Sequence, residues 1–381
     1  MAWKRITRAA LAGGAVLASV SLLVAATNNS ELPALLASIK QVGTKGEGNR
    51  QAQAACQRLA AADAGQLPTI LNALDDASPL AANWLRGTAE VIVARQIANG
   101  GTLPTAALEA FLLDRGHAPR SRRLAYEWLL RVDPGAAERL LPGMLDDPSL
   151  EMRRDAVARL LDGARAKVDS EPATAKAGYE QALTAARDLD QIQGAIKALG
   201  GLGERINLTE QLGFLTHWQV VGPFDNVGGV GFAAVYPPEK KIDLAAKYDG
   251  KGEPVHWLEA EASDEMGHVD LNKALGTHKG AVAYAYAEFT SDRDQPVELR
   301  LGSANANKIW LNGKQLAEFK IYHSFTTMDQ YVGRGELKRG VNQILVKLCQ
   351  NEQTEEWAAE WKFQLRVADP TGGAIREGKQ P

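Results

Sequence analysis

From Glu31 to about Asn207 apolar residues recur at spacings of three and four, in segments dominated by Ala, Leu and Arg. That spacing predicts a succession of amphipathic helices. From Leu212 onward the period falls to two. AVAYAYAEFTS (281–291) alternates small with aromatic residues, QPVELRLGS (295–303) alternates Val297, Leu299 and Leu301 with polar partners, and NQILVKLCQ (342–350) and WKFQLRVAD (361–369) do likewise. Turn signals interrupt these runs at short intervals: Gly222-Pro223, Pro237-Pro238, Asp249-Gly250, Asn312-Gly313 and Arg339-Gly340. Many short alternating strands with such punctuation predict a β-sandwich or jelly roll. The expected fold is multidomain: an all-α part over residues 27–207, an antiparallel β-sandwich over 213–372 and a disordered tail over 373–381.

The helical part repeats itself. RSRRLAYEWLL (120–130) aligns with LEMRRDAVARLL (150–161) at an offset of 31, matching Arg122 with Arg153, Arg123 with Arg154, Ala125 with Ala156 and Leu129 with Leu160. LNALDDASP (71–79) echoes PGMLDDPSL (142–150). A period of this size marks stacked helical hairpins that bury their apolar faces against neighbours. The segment LLPGMLDDPSLEMRRDAVARLL (140–161) resembles a HEAT repeat, with Met152 in place of the usual Val, and residues 174–199 look closer to a tetratricopeptide-type hairpin. The resemblance implies an α-solenoid in which Arg122 and Arg153 pair with Asp114, Asp146 or Asp147 as structure. The rival reading of Arg120, Arg122, Arg123, Arg153 and Arg154 is a basic ridge for an anionic partner. The near balance of acidic and basic residues over this half favours structural pairing.

The second half also carries a resemblance. WQVVGPFDN (218–226), YPPEKKIDL (236–244), ELRLGSANANKIWLNGKQL (298–316) and LKRGVNQILVKLCQ (337–350) look like the galactose-binding-like jelly-roll modules of secreted glycoside hydrolases. They are also similar to C-terminal domains of large exported proteins from planctomycete-type bacteria. Such modules bind sugars, bind proteins or pack against a neighbour, so the resemblance implies a fold and leaves the ligand open.

The N-terminus, MAWKRITRAALAGGAVLASVSLLVAATNN, joins a basic start to an apolar stretch from Ala9 to Ala26 that ends in small residues. This is the pattern of a signal peptide, residues 1–26, with Val24 and Ala26 at the cleavage positions; an uncleaved anchor is the alternative. An exported, periplasmic or extracellular protein follows, with no membrane span once the signal is removed. A net charge of −3 gives no footprint for nucleic acid. Two cysteines, Cys56 and Cys349, stand far apart and predict free buried thiols, not a disulfide scaffold.

Catalytic signatures are missing from the sequence: no G-x-S-x-G, no H-E-x-x-H and no Walker loop, and the glycine-rich GGVGF (228–232) lacks a dinucleotide fingerprint. No cofactor is expected. Asp225 and Asn226 offer oxygen ligands in a tight loop, where a structural calcium competes with an ordinary turn. Asp264, His268 and Asp270 are a weaker metal hint against the same alternative. What remains is aromatic. Sugars stack on Trp and Tyr and bond to nearby amides, which nominates Trp310, Tyr322, His323 and Trp357 with Asn305 and Asn307, whereas Trp218, Trp257 and Trp361 sit in apolar strands as core. In SANANKIWLNGKQLAEF (303–319), Asn312-Gly313 predicts a type I′ hairpin turn. The expectation is a non-catalytic binding or scaffolding protein with a protein or glycan partner. A carbohydrate-active enzyme or its accessory subunit, and a β cap that only closes the helical stack, are the alternatives.

Overall fold

The computed structural model describes residues 30–378. The signal segment expected over residues 1–26 lies outside the described residues. Helices occupy the chain from Leu32 to Leu212, and antiparallel β-sheets follow from His217 to Ala368, in the order expected from the change of period. The described residues form two compact units that divide between Ala137 and Glu138.

The first unit holds α1 (Leu32–Lys40), α2 (Asn49–Leu59), α3 (Leu67–Asp75), α4 (Pro79–Ala98), α5 (Thr105–Leu113) and α6 (Pro119–Val132). α7 (Ala136–Leu140) straddles the division, and α8 (Leu150–Arg165), α9 (Pro172–Ala185), α10 (Leu189–Gly201) and α11 (Leu208–Leu212) belong to the second unit. Proline stands in the first turn of α1, α3, α4, α6 and α9, where its missing N–H costs nothing and its fixed φ starts the helix. α4 adds a serine cap, with Ser78 Oγ accepting from Ala81 N at 3.2 Å. Helix ends are closed by arginines. Arg95 donates to the carbonyls of Ala60 and Ala62 behind α2, Arg120 to Leu74 and Ala77 behind α3, and Arg187 to Thr184, Ala185 and Ala186 behind α9. A guanidinium there satisfies orphan carbonyls and meets the negative end of the helix dipole.

The β region comprises β1 (His217–Asp225), β2 (Lys247–Asp249), β3 (Pro254–His256), β4 (Leu258–Glu261), β5 (Val269–Asp270), β6 (Ala281–Ser291), β7 (Gln295–Ser303), β8 (Ala306–Leu311), β9 (Lys314–Phe319), β10 (Tyr331–Leu337), β11 (Gly340–Gln350) and β12 (Lys362–Ala368), with short helices α12 (Pro237–Lys240) and α13 (Leu271–Leu275). A six-stranded sheet, β4-β1-β6-β11-β8-β9, faces a four-stranded sheet, β10-β7-β12-β5. Their inner faces share one core. Ala283, Ala285 and Ala287 of β6, Ile309 and Leu311 of β8 and Ile344, Val346 and Leu348 of β11 meet Val297, Leu299, Leu301, Phe363, Leu365 and Val367.

The outer face of the large sheet is buried as well. Tyr284, Tyr286, Trp310, Leu345 and Cys349 pack with Phe232, Val255 and Trp257 from the stretch between β1 and β4, which covers them. This stretch is pinned by Lys347, whose side chain is fully buried. Its Nζ donates to Glu239 Oε1 at 2.7 Å and to Ala234 O at 2.6 Å, between the rings of Tyr236 and Tyr284. Tyr284 also donates to Glu239.

The second unit joins helices to sandwich through backbone and charge. Beyond β5, the open edge of β12 is completed by 213–215, through Leu215 N to Leu365 O and Val367 N to Gly213 O, and by Ile375 N to Val367 O. The tail expected from residue 373 is therefore docked over 373–378, ending with Gly378 N on Thr290 O. Arg366, 2% exposed, grips Asp329 with Nε at 2.6 Å and Nη2 at 2.5 Å, and its Nη1 donates to Leu212 O and Gly372 O. Arg300 reaches the same carboxylate at 2.7 Å.

Two outcomes follow. Breaking the buried Lys347–Glu239 pair from one side, as Lys347→Met or Glu239→Gln, costs about 3–5 kcal/mol in urea unfolding, because a lone buried charge or polar group remains; a loss below about 1 kcal/mol contradicts the pinning role. Burial pushes the Asp329 carboxyl up, but the bonds and charges of Arg366 and Arg300 outweigh it and hold it below the usual range. A depressed carboxylate stabilises above its unfolded value and loses that contribution as pH falls through the folded one. The stability gap between wild type and Asp329→Asn therefore stays constant between about pH 5 and 8 and narrows below about pH 4. An unchanged gap in acid contradicts it.

Candidate functional site

The hairpin at 303–319 forms as a type I′ turn, with positive φ at both Asn312 (51°) and Gly313 (77°). Asn312 is held from the start of β11: its Nδ2 donates to Asn342 Oδ1 and its Oδ1 accepts from Gln343 N, both at 2.8 Å. Fully buried Asn342 in turn donates to the carbonyls of Lys338 and Gly340. Asn312 and Asn342 thus lock the turn before β9 to the turn before β11.

That register sends Trp310 to the outer face, where the covering stretch leaves it 7% exposed. Asn305 and Asn307 are buried in the sandwich, bonded through Nδ2 to Glu360 O and Asn305 O respectively. Burial removes these three candidates from any open ligand surface. Trp218, Trp257 and Trp361 are core residues.

Tyr322, His323 and Trp357 are brought together. They lie at the end of the large sheet where β1 and β11 finish, β6 and β8 begin, and the loops after β1, β9 and β11 converge. His323 takes positive φ (59°) and bonds through Nε2 to Asn351 Oδ1 at 2.8 Å. Its ring sits edge-on to Trp357 with centroids 5.0 Å apart, and Tyr322 flanks it at 6.3 Å. Trp357 remains 62% exposed. The residue after it is anchored, since Ala358 O accepts from Gln350 Nε2 and Lys279 Nζ.

The sequence reading missed Phe325, 88% exposed on the same loop as His323. It is held out from fixed backbone: Ser324 Oγ bonds Ser303 O and Thr326 Oγ1 accepts from Ala304 N. Val227, Val230 and Ile321 extend the exposed apolar surface of these loops. The signal available was an aromatic in a polar run, HSFTT, with no alternation to bury it.

The oxygen-ligand pair serves the fold. Asp225 Oδ1 accepts from Val227 N, and buried Asn226 donates to Gln350 O at 2.9 Å and to the Tyr322 hydroxyl at 3.4 Å. Asn226 Oδ1 and Gln350 Oε1 are buried without a partner at the base of this end. Asp264 closes a turn onto His268, and Asp270 caps α13 through Oδ1. Among the described residues no group of three His, Cys, Asp or Glu side chains could hold a metal ion. Cys349 is buried, its thiol pushed up to about 12 by burial.

The repeat arginines bond within the chain. Arg122 Nε donates to Leu112 O at 2.7 Å, and Arg153 Nε to Asp147 O at 2.8 Å, main-chain carbonyls in both cases. The carboxylates of Asp114 and Asp147 accept from Gly116 N and Ser149 N in their own turns, while Asp146 is exposed. Arg154 reaches across to Asp190 with both terminal nitrogens, at 2.9 and 2.6 Å.

A separate cleft of about 390 Å³ lies on the outer face of the large sheet, lined among others by His217, Gln219, Glu259, Glu261, Tyr286 and Glu288. Tyr286 donates to Glu288 there at 2.7 Å. Comparison with protein-family models gives no match for this chain, and comparison with curated proteins gives no relative.

Burial divides the tryptophans into two behaviours. Trp310→Ala behaves as a core truncation costing about 3–5 kcal/mol, whereas Trp357→Ala stays within about 0.5 kcal/mol of wild type. Urea unfolding of both variants checks this, and equal losses contradict the assignment.

Proposed function

We propose that this is an exported, non-catalytic binding or scaffolding protein. In this reading the helices form a HEAT-like solenoid that contacts protein partners, and the galactose-binding-like sandwich contacts a glycan or a protein. The observation that carries it is the converging-loop end of the sandwich, where Trp357 and Phe325 are exposed between anchored neighbours. A folded chain gains nothing in stability from holding large apolar side chains in water, so such surfaces mark interaction sites. Trp357 is kept in orientation by the His323 edge, as an aromatic platform needs.

A carbohydrate-active enzyme, or an accessory subunit of one, is the competing reading. On its side stands the cleft bearing Glu259, Glu261 and Glu288, since glycoside hydrolysis uses paired carboxylates across a groove. Against it, Trp218 beside that cleft is 2% exposed and offers no sugar platform. The reading of the sandwich as a cap on the helices draws support from the backbone pairing of 213–215 with β12. Capping and binding are compatible, because the pairing edge and the aromatic end are different parts of the sandwich.

The test is a pull-down from an envelope extract beside a glycan array, each run with wild type and Trp357→Ala. The expected result is a specific partner or glycan whose retention falls about tenfold in the variant. Silence in both arms removes the binding reading.

A further inference from the structure

We infer that the aromatic end of the sandwich docks a basic, apolar protein segment, with a Lys or Arg side chain laid against Trp357. This rests on the binding reading above and chooses between its two partner classes.

The direction of the local charges supports it. Two lysines of this end are turned inward: Lys251 Nζ donates to the carbonyls of Lys279 and Gly280, and Lys279 Nζ to Ala358 O, while exposed Lys320 lies over the Phe232 ring. The carboxylates are turned outward. Glu355 and Glu356, immediately before Trp357, are exposed; their main-chain carbonyls accept from Ala358 N and Ala359 N, which leaves the carboxylates at the surface. Glu352, also exposed, accepts from Gly228 N. An incoming cation therefore meets an exposed indole face and two exposed carboxylates, of which Glu355 also feels the charge of Lys279, the arrangement that cation–π and ion pairing favour together.

The rest of the surface separates a peptide from a sugar. Val227, Val230, Ile321 and Phe325 are exposed around it and offer apolar contact rather than hydroxyl recognition. The polar groups nearest Trp357 are already engaged: Asn351 Oδ1 accepts from His323 and Gln353 N, and Asn351 Nδ2 donates to Gln353. Few fixed donors or acceptors are left for a neutral glycan, which needs them for orientation. An anionic partner meets the two outward carboxylates.

The probe is a labelled decapeptide alternating Lys and Leu, titrated into the full chain by anisotropy, with its Glu–Leu counterpart and a neutral oligosaccharide series as comparison arms. The expected result is saturable binding of the Lys–Leu peptide alone, weakened about tenfold by Trp357→Ala. The double variant Glu355→Gln with Glu356→Gln weakens it about fivefold and flattens its dependence on salt. Both sites are exposed, and an unchanged melting temperature confirms that each variant is folded. No Lys–Leu binding, equal binding of the Glu–Leu peptide, or indifference to both variants overturns the inference. A neutral oligosaccharide that binds through Trp357 while the Lys–Leu peptide does not also overturns it, yet leaves the broader binding reading standing. No binding in any arm, with the pull-down and array silent, removes both.

Discussion

The guanidinium of Arg366 holds the second unit together. It projects from β12, grips Asp329 on the loop before β10, and donates to carbonyls at Leu212 and Gly372, so four stretches of chain close on one buried cation. A charge so placed is tolerable only when its donors are satisfied. Two carboxylates and two arginines, Asp329 and Glu298 with Arg366 and Arg300, share the load. Because Leu212 ends the last helix of the α region, the same network orients that helix on the sandwich. The helices of this unit and its sheets are thus one mechanical object.

The second constraint is the covering of the large sheet. Most antiparallel sandwiches present the outer faces of their sheets to water, but here β6 is buried almost throughout. The stretch between β1 and β4 supplies the apolar cover, and the Lys347–Glu239 pair fixes where it lies. The cover also decides which aromatics remain available. Those on the strands, Trp310, Tyr284 and Tyr286, become core, and the loop residues Trp357 and Phe325, beyond its reach, stay open.

The change of period was enough to read the α-then-β architecture, since helix and strand burial repeat differently. Asn312-Gly313 was equally legible, because its turn type depends on two adjacent residues alone. The face of Trp310 was not, because alternation assigns residues to two faces without saying that both are buried. Lys347 carried a signal that went unread: in ILVKLCQ it shares a face with Leu345 and Cys349, an odd place for a solvated ammonium. Its partner Glu239 lies 108 residues away, a distance no local pattern spans. The bonds described for Arg122 and Arg153 go to main-chain carbonyls, which carry no residue signature. Of the six aromatic and amide candidates, the three on loops come together and the three in or beside β8 do not. Loops supply exposed groups on a rigid frame, and strand interiors seldom do.

The pairing of β12 with both 213–215 and 374–375 brings the beginning and the end of the β region side by side. Gly213 O accepts from Val367 N, and Val367 O accepts from Ile375 N, so a single residue of β12 bridges the two. In topological terms the sandwich is a closed loop whose feet stand together at the last helix. A module built this way can be carried as an insertion between two flanking elements, or opened elsewhere by circular permutation with a short joint across its feet, without unthreading its sheets.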